Sequence, residues 1–329
     1  MHDNDFVISS RIRIARNVTG YPFPNKMDDK RASVIASEVY DVLNKDGSYE
    51  IKPVSNLSEA QIGTLEEKKL MTSALASTTF GSLILKRDET VSVMINELDH
   101  VVINTFEKGF NVEKAYEVAD GIESALEDKL KFVFSDKLGY LTSSPSTVGT
   151  GLKVAVKMFL PALHITHALP EVASALSRIN ISLKATADNE TSNGYVYEIS
   201  SLHTLGVSEQ EIIDKVKKAV NSVKNYEQQA REKIYKESEV DLKDKIMRSY
   251  GIATNSYKMG SSEMLSTLAF IRLGAYYKIL PISDVSVIDS LSSSLMPYAI
   301  YEYKKGGFKT SEERSIFRAS KIKETLKSL

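Results

Sequence analysis

The chain has 329 residues, 42% of them hydrophobic and 26% charged, enough for one large domain or two medium ones with a real core. Lys and Arg total 42 against 43 Asp and Glu, so no whole-protein basic field exists, and neither nucleic acid nor an anionic membrane is an expected partner. Cysteine is absent, which excludes a disulfide framework and thiolate metal sites, and the acidic, polar start lacks the basic-then-apolar pattern of a signal peptide; a cytoplasmic location is expected.

Taken in order, Ser9-Ser10-Arg11-Ile12-Arg13-Ile14 reads as extended chain. Arg11 and Arg13 then project to one side, with Ile12 and Ile14 on the other. Two guanidinium forks on one face suit adjacent phosphates. Alone, the segment is also compatible with a solvated edge strand. After the Tyr21-Pro22-Phe23-Pro24 turn come helical runs over 30–43 and 57–75, with a polar break at 46–50.

From Gly81 the period changes to that of strands, over 82–85, 90–96 and 101–106. Val91, Val93 and Ile95 alternate with Ser92, Met94 and Asn96, an antiparallel meander with one buried face. Val112, Ala115, Ala119, Ile122 and Leu126 then mark an amphipathic helix. A hydroxyl-rich loop follows over 142–151, ending in Gly149-Thr150-Gly151, whose backbone N–H groups are of the kind that cradle anions. A second hairpin, 182–187 with 195–200, closes on Asn193-Gly194. Ser208-Glu209-Gln210-Glu211 has the form of a capping box and opens a long helix reaching about Lys236. The last ninety residues read as helices. Strands in the middle and helices at the ends predict an α+β fold.

No Walker loop is present. His164 and His167, with no third ligand in view, read as a packed or snorkelling pair rather than a metal site. Asn96-Glu97-Leu98-Asp99-His100 sets carboxylates and an imidazole at a strand end, where acid–base groups and plain charged turns both occur.

Together these segments resemble the ATP:guanido phosphotransferase (phosphagen kinase) family, in particular its bacterial protein-arginine kinases. The resemblance runs through Ser9–Arg13 and Tyr21–Pro24, Val93 to His100, the Leu138 to Leu152 loop, Ser201-Leu202-His203-Thr204-Leu205-Gly206, and Met247-Arg248-Ser249-Tyr250-Gly251-Ile252. It implies a phosphagen-kinase-like catalytic domain over 1–225, an antiparallel sheet flanked by helices, and a C-terminal helical domain over 226–329. It also implies ATP and Mg²⁺ as cofactors, phosphoryl transfer to protein arginine in protein quality control, protein substrates or regulatory protein partners, and a homodimer.

Carried over residue by residue, the resemblance assigns Arg11, Arg13, Lys153 and Lys184 to the nucleotide phosphates. Asp99, His100, Ser144 and Thr147 fall on the substrate side, and Arg314 and Arg318 fall in a phosphoarginine-reading motif. Glu97, Asp188 and Glu190 are the carboxylates left for catalysis. The chain departs from the family where a carboxylate facing the guanidinium is replaced by Leu98, a phosphate arginine by Val102, and a loop cysteine by Ser144. Losing one transition-state donor typically costs about 10²–10³ in rate. A guanidinium with a pKa above about 12 is a poor nucleophile unless a carboxylate orients it. Glu97, taken as a strand residue, is expected to point away from the side of Leu98. Two readings follow: a weakly active or inactive homologue that binds nucleotide or phosphoarginine in a regulatory role, favoured by the joint losses, or an active enzyme with a rearranged site.

Overall fold

The computed structural model describes residues 5–186, 194–304 and 307–328. The chain forms two compact units: a sheet unit of Ser9–Val156 with Ser200–Lys218, and a helical unit of Met1–Ile8, Lys157–Ile199 and Ala219–Leu329.

The sheet unit holds most of β1 (Val7–Arg16), then α1 (Asp29–Leu43), β2 (Tyr49–Pro53), α2 (Glu59–Glu67), α3 (Ser73–Ala76), β3 (Ser82–Lys86), β4 (Val91–Ile95) and β5 (Val101–Lys108). It continues with α4 (Val112–Glu127), the short pair β6 (Phe134–Ser135) and β7 (Gly139–Tyr140), and the first part of β8 (Leu152–Phe159). Its strand order is β2-β3-β4-β5-β1-β8. The predicted meander is present, with β3, β4 and β5 antiparallel in sequence and β1 paired antiparallel to β5, but both of its faces are buried where one was expected, because helices cover each side.

Cross-strand register decides which side chains share a face. Leu83, Met94, Val102 and Ala15 are successive partners across four strands. They pack with Leu65, Leu70, Met71 and Leu75 from the α2–α3 segment. On the opposite face Ile12 is partnered with Thr105, whose hydroxyl donates to Ala115 O of α4 at 2.7 Å. There Ile12 and Ile14 are wholly buried with the apolar stripe of α4, each burial contributing about 1.5–3 kcal/mol.

The helical run expected over 57–75 is two helices. Lys69 adopts φ 62°, ending α2, and Thr72 restarts the chain as N-cap of α3, accepting from Leu75 N at 3.2 Å.

The helical unit contains α5 (Pro161–Ile165), α6 (Leu169–Ser177), β9 (Ile181–Ala185) and most of β10 (Val196–Ser201). It also holds the latter part of α7 (Glu209–Glu237), followed by α8 (Glu239–Asn255), α9 (Ser261–Tyr276), α10 (Ser286–Ser294) and α11 (Ser311–Lys327). At the start of α7 the expected capping box forms: Ser208 N donates to Glu211 Oε2 at 2.7 Å and Glu211 N to Ser208 Oγ at 3.2 Å. Further along, the Glu227 carboxylate accepts from Ala162 N, Leu163 N and, at 2.7 Å, Arg231 Nε. The Arg231 guanidinium lies 4.4 Å from the ring centres of both Phe6 and Tyr276. These groups lie in a wholly buried environment, where such a pair needs every hydrogen bond it can make. Leu242, Ile246, Leu268, Ile271, Ile288 and Ile322 build the unit's core. His164 packs against Tyr195 and accepts or donates at Tyr197 Oη, 2.6 Å away, while His167 is exposed. Among the described residues no helix is long and apolar enough to cross a membrane.

Candidate functional site

β1 delivers the arginine pair as its alternation requires: Arg11 and Arg13 are half-buried on one side, opposite the buried Ile12 and Ile14. Arg13 is the cross-strand partner of Asn104, and Asn104 of Ser92, so a polar row crosses β1, β5 and β4. Asn104 Nδ2 and Ser92 Oγ have no hydrogen-bond partner among the described residues. Lys153 is half-buried on β8.

Val102, two residues from Asn104 on the same side of β5, is fully buried in the apolar cluster beneath α2 and α3. A guanidinium expected there by resemblance would need a different packing, because this chain fills the place with leucines and methionines.

Glu97 does point away from the side of Leu98, as expected, but a turn and not strand alternation is the cause. β4 ends at Ile95, and Asn96 takes φ 56°, a left-handed conformation that breaks the ladder. Residues 96–100 therefore form a turn. In it Glu97 turns inward and Leu98 outward: the Glu97 side chain is 1% exposed, whereas Leu98 is 53% exposed. The Glu97 carboxylate receives Arg13 Nη2 at 2.5 Å and the Thr72 hydroxyl at its other oxygen.

Asp99 and His100 face the protein interior. Asp99 Oδ1 accepts from Asn17 Nδ2 at 2.7 Å and from Ser143 N at 2.6 Å. His100 Nδ1 accepts from Val18 N at 2.9 Å, which makes Nε2 the protonated nitrogen donating to Pro22 O at 2.8 Å. Burial lowers the pKa of His100 below the usual imidazole value, opposed by its bond to Pro22 and by Asp99. The ring also stacks on Phe23 with centroids 6.4 Å apart. These two residues thus anchor the 142–148 loop and the Tyr21–Pro24 turn rather than presenting polar atoms outward.

Within that loop, Ser144 Oγ bonds to Ser146 Oγ at 2.8 Å, and Thr147 Oγ1 to Ser144 O at 3.0 Å. The Gly149-Thr150 amides are not a free anion cradle: Gly149 N donates to Tyr140 O and Thr150 N to Thr204 O, each at 3.2 Å. Glycine at 149 has a packing reason. Its φ is 114°, and a Cβ there would stand 2.2 Å from Thr204 O.

A cavity of about 930 Å³ opens beside the turn. Its wall includes Phe23, Phe80 and Leu98, with Asn96, Glu97 and Ser143. On the opposite face of β1, Arg16 is 1% exposed and donates to Glu123 at 2.5 Å, with its guanidinium 3.5 Å from the Tyr140 ring centre. Burial raises the Glu123 pKa, partly offset by Arg16. This hub was missed in the sequence, although Arg16 continues the buried Ile12–Ile14 side at period two.

Lys184 lies on β9, in the helical unit. Asp188 and Glu190 are outside the described residues. Arg318 is 3% exposed and donates to Leu295 O at 2.8 Å and Met259 O at 2.9 Å, bonds that hold helices together. Arg314 is half-buried and donates to Tyr301 Oη at 2.8 Å. These bonds give Arg318 a structural part within the helical unit, whatever its part in the ligand-reading motif implied by resemblance.

Comparison with known proteins matches residues 31–230 to the ATP:guanido phosphotransferase C-terminal catalytic domain and residues 239–329 to the protein-arginine kinase McsB C-terminal domain. The protein-arginine kinase of Clostridium acetobutylicum is 33% identical, covering 99% of this chain and 98% of that one. The Bacillus subtilis protein-arginine kinase is 32% identical over 98% of this chain and 91% of its own. Among solved structures, lombricine kinase aligns with a TM-score of 0.60 at 23% identity, over 69% of this chain and 68% of that one. A duplicated taurocyamine kinase from Schistosoma mansoni aligns at 0.64 and 20% identity, over 93% of this chain and 48% of its own. The fold is that of the phosphagen kinases, a class of transferases that work with ATP and Mg²⁺. The chain belongs to the ATP:guanido phosphotransferase family, on its protein-arginine kinase branch.

Proposed function

We propose that this chain is a degenerate protein-arginine kinase, one that binds nucleotide through Arg11, Arg13 and Lys153 but transfers phosphate to protein arginine weakly or not at all, and acts through regulatory protein partners. The observation that carries this reading is the 96–100 turn: the exposed Leu98 stands at the cavity wall where the resemblance places a carboxylate, and the adjacent Glu97 is closed by Arg13 and Thr72. A guanidinium entering beside Leu98 meets no carboxylate at that position, so the turn's described residues offer less to orient its nitrogen for attack.

The residues present fit a nucleotide's phosphates, since two arginines and a lysine supply the positive charge. Bound Mg²⁺ would neutralise phosphoryl charge there, and Glu97 is the carboxylate nearest in sequence to that task once released by Arg13. The second reading, an active enzyme, rests on the same release, because Glu97 also lines the cavity.

Incubation with ATP, Mg²⁺ and an arginine-rich protein, followed as acid-labile phosphate, decides between them. Nucleotide binding without turnover is expected. Robust turnover sinks the degenerate reading.

A further inference from the structure

A second cavity, of about 600 Å³, opens beside Arg16 on the face of β1 opposite the Arg11–Arg13 pair, and its whole wall belongs to the sheet unit. Helix α4 contributes Asp120, Glu123 and Glu127, a stripe at three- and four-residue spacing, where like charges repel. Asp136 and Glu209 add carboxylates, and the cations of the wall are Arg16 and Lys137. Arg16 is already committed. Its Nε donates to Glu123 Oε1, its Nη1 to the carbonyls of Ala15 and Thr150 at 2.8 Å, and its Nη2 stands 3.7 Å from Glu209. Asp120, Glu127 and Asp136 have no ion-pair partner among the described residues.

Glu123 points most directly to a ligand. Its side chain is 9% exposed and lines the cavity, and while Oε1 takes the Arg16 bond, Oε2 has no hydrogen-bond partner among the described residues. Unlike Asn104 Nδ2 or Ser92 Oγ, that oxygen is not sealed from solvent, so a donor in the cavity reaches it. Burial raises the Glu123 pKa against the pull of Arg16, and repulsion from Glu209 and Glu127 raises it further. The wall is therefore short of positive charge. Among the described residues no three carboxylates or imidazoles converge as a metal ion requires, which favours an organic cation. Apolar side chains join the carboxylates: Phe134, Leu138 and Leu205 line the cavity and are 58%, 46% and 52% exposed.

We propose that this cavity docks a basic protein segment, an arginine next to an apolar residue, whose guanidinium bridges Glu123 and the unpaired carboxylates of α4 while the apolar neighbour covers Leu138 and Leu205. A guanidinium presents five donors in a planar fork and spans two carboxylates, where an ammonium acts as a point charge. It also stacks on an aromatic face such as that of the exposed Phe134. The site gives the regulatory partners of the proposed function a chemistry. It does not depend on whether the chain transfers phosphate, because it lies on the other face of β1 from Arg11 and Arg13.

The test titrates the full chain, without nucleotide, into a dye-labelled, capped Gly-Leu-Arg-Leu-Arg-Gly peptide followed by fluorescence anisotropy. Saturable binding that weakens with added salt is expected. The same peptide with citrulline for arginine keeps the shape without the charge and should bind about tenfold more weakly or worse. The lysine version should bind about threefold more weakly or worse. Asp120→Asn with Glu127→Gln, at exposed positions of α4, should weaken the arginine peptide about fivefold or more. Asp41→Asn with Glu59→Gln makes the same charge change at exposed positions off the cavity wall and should leave it unchanged. Thermal melting checks that both double variants fold. The proposal is overturned if the arginine peptide fails to bind, if the citrulline or lysine peptide binds equally, or if the two double variants act alike, as binding elsewhere on the chain would require. Nucleotide titration on the same samples separates the two ideas: nucleotide binding without peptide binding removes the docking proposal alone, while robust arginine phosphorylation removes the degenerate reading alone.

Discussion

Replacing Glu97 with Gln isolates the contact on which the site turns. The substitution keeps shape and hydrogen-bonding reach, and removes the charge that Arg13 meets at 2.5 Å. Two opposing consequences follow. Arg13 loses its counter-ion, but its side chain is 23% exposed, so water screens much of the loss, and a destabilisation of about 1–2 kcal/mol is expected. At the same time the field facing a bound phosphate improves. A carboxylate about 6 Å from a phosphate charge repels it by roughly 1–3 kcal/mol for an effective dielectric between about 80 and 20. Nucleotide affinity should therefore rise by roughly an order of magnitude, and the gain should shrink as salt is added. Isothermal titration with ATP, with and without Mg²⁺, gives the affinity, and urea unfolding gives the stability. An affinity that falls only when Mg²⁺ is present refutes the reasoning, because Glu97 would then be serving the metal and not restraining Arg13.

Three further outcomes are expected. Burial depresses the folded pKa of His100 below 6.5, against the opposing effects of its bond to Pro22 O and of Asp99. The unfolded chain then takes up a proton that the folded chain refuses, and stability falls as pH drops below about 6.5, by up to about 1.4 kcal/mol per pH unit from this group. Urea midpoints at pH 7.5 and 5.5, compared with those of His100→Gln, measure that component, which should vanish in the variant. Arg16→Met should cost about 3–5 kcal/mol, since it leaves buried Glu123 without its partner; an unchanged denaturation midpoint would contradict the hub. Val102→Arg, which restores a family arginine on paper, should destabilise by more than about 3 kcal/mol, because the guanidinium enters a closed apolar cluster; a stable variant with tighter nucleotide binding would overturn that placement.

Much of the framework was legible in the residues themselves. The Arg11/Arg13 alternation with Ile12 and Ile14, the α4 stripe, the strand order of the meander and the Ser208–Glu211 cap all appear as expected, because period and capping are local properties that tertiary packing here reinforces; the meander's second buried face does not, since it depends on distant helices. Even the burial of Arg16 followed from period two, had the strand been carried two residues further with its charge ignored. Lys69 was harder, since no residue type there announces a left-handed break in a helix.

The side chains that decide function escaped this kind of reading. Asn96 in a left-handed conformation ends β4 one residue early, and that single backbone choice sends Glu97 inward to Arg13 and Thr72 and Leu98 out to the cavity. The Gly149-Thr150 amides looked available until Tyr140 and Thr204 were found to accept from them. Sequence alone established the family, the strand and helix periods, and the absence of a carboxylate at position 98. Tertiary structure alone decided which remaining charges are already paired, because pairing depends on contacts between residues such as 13, 72 and 97 that lie far apart along the chain and carry no local periodicity to reveal them.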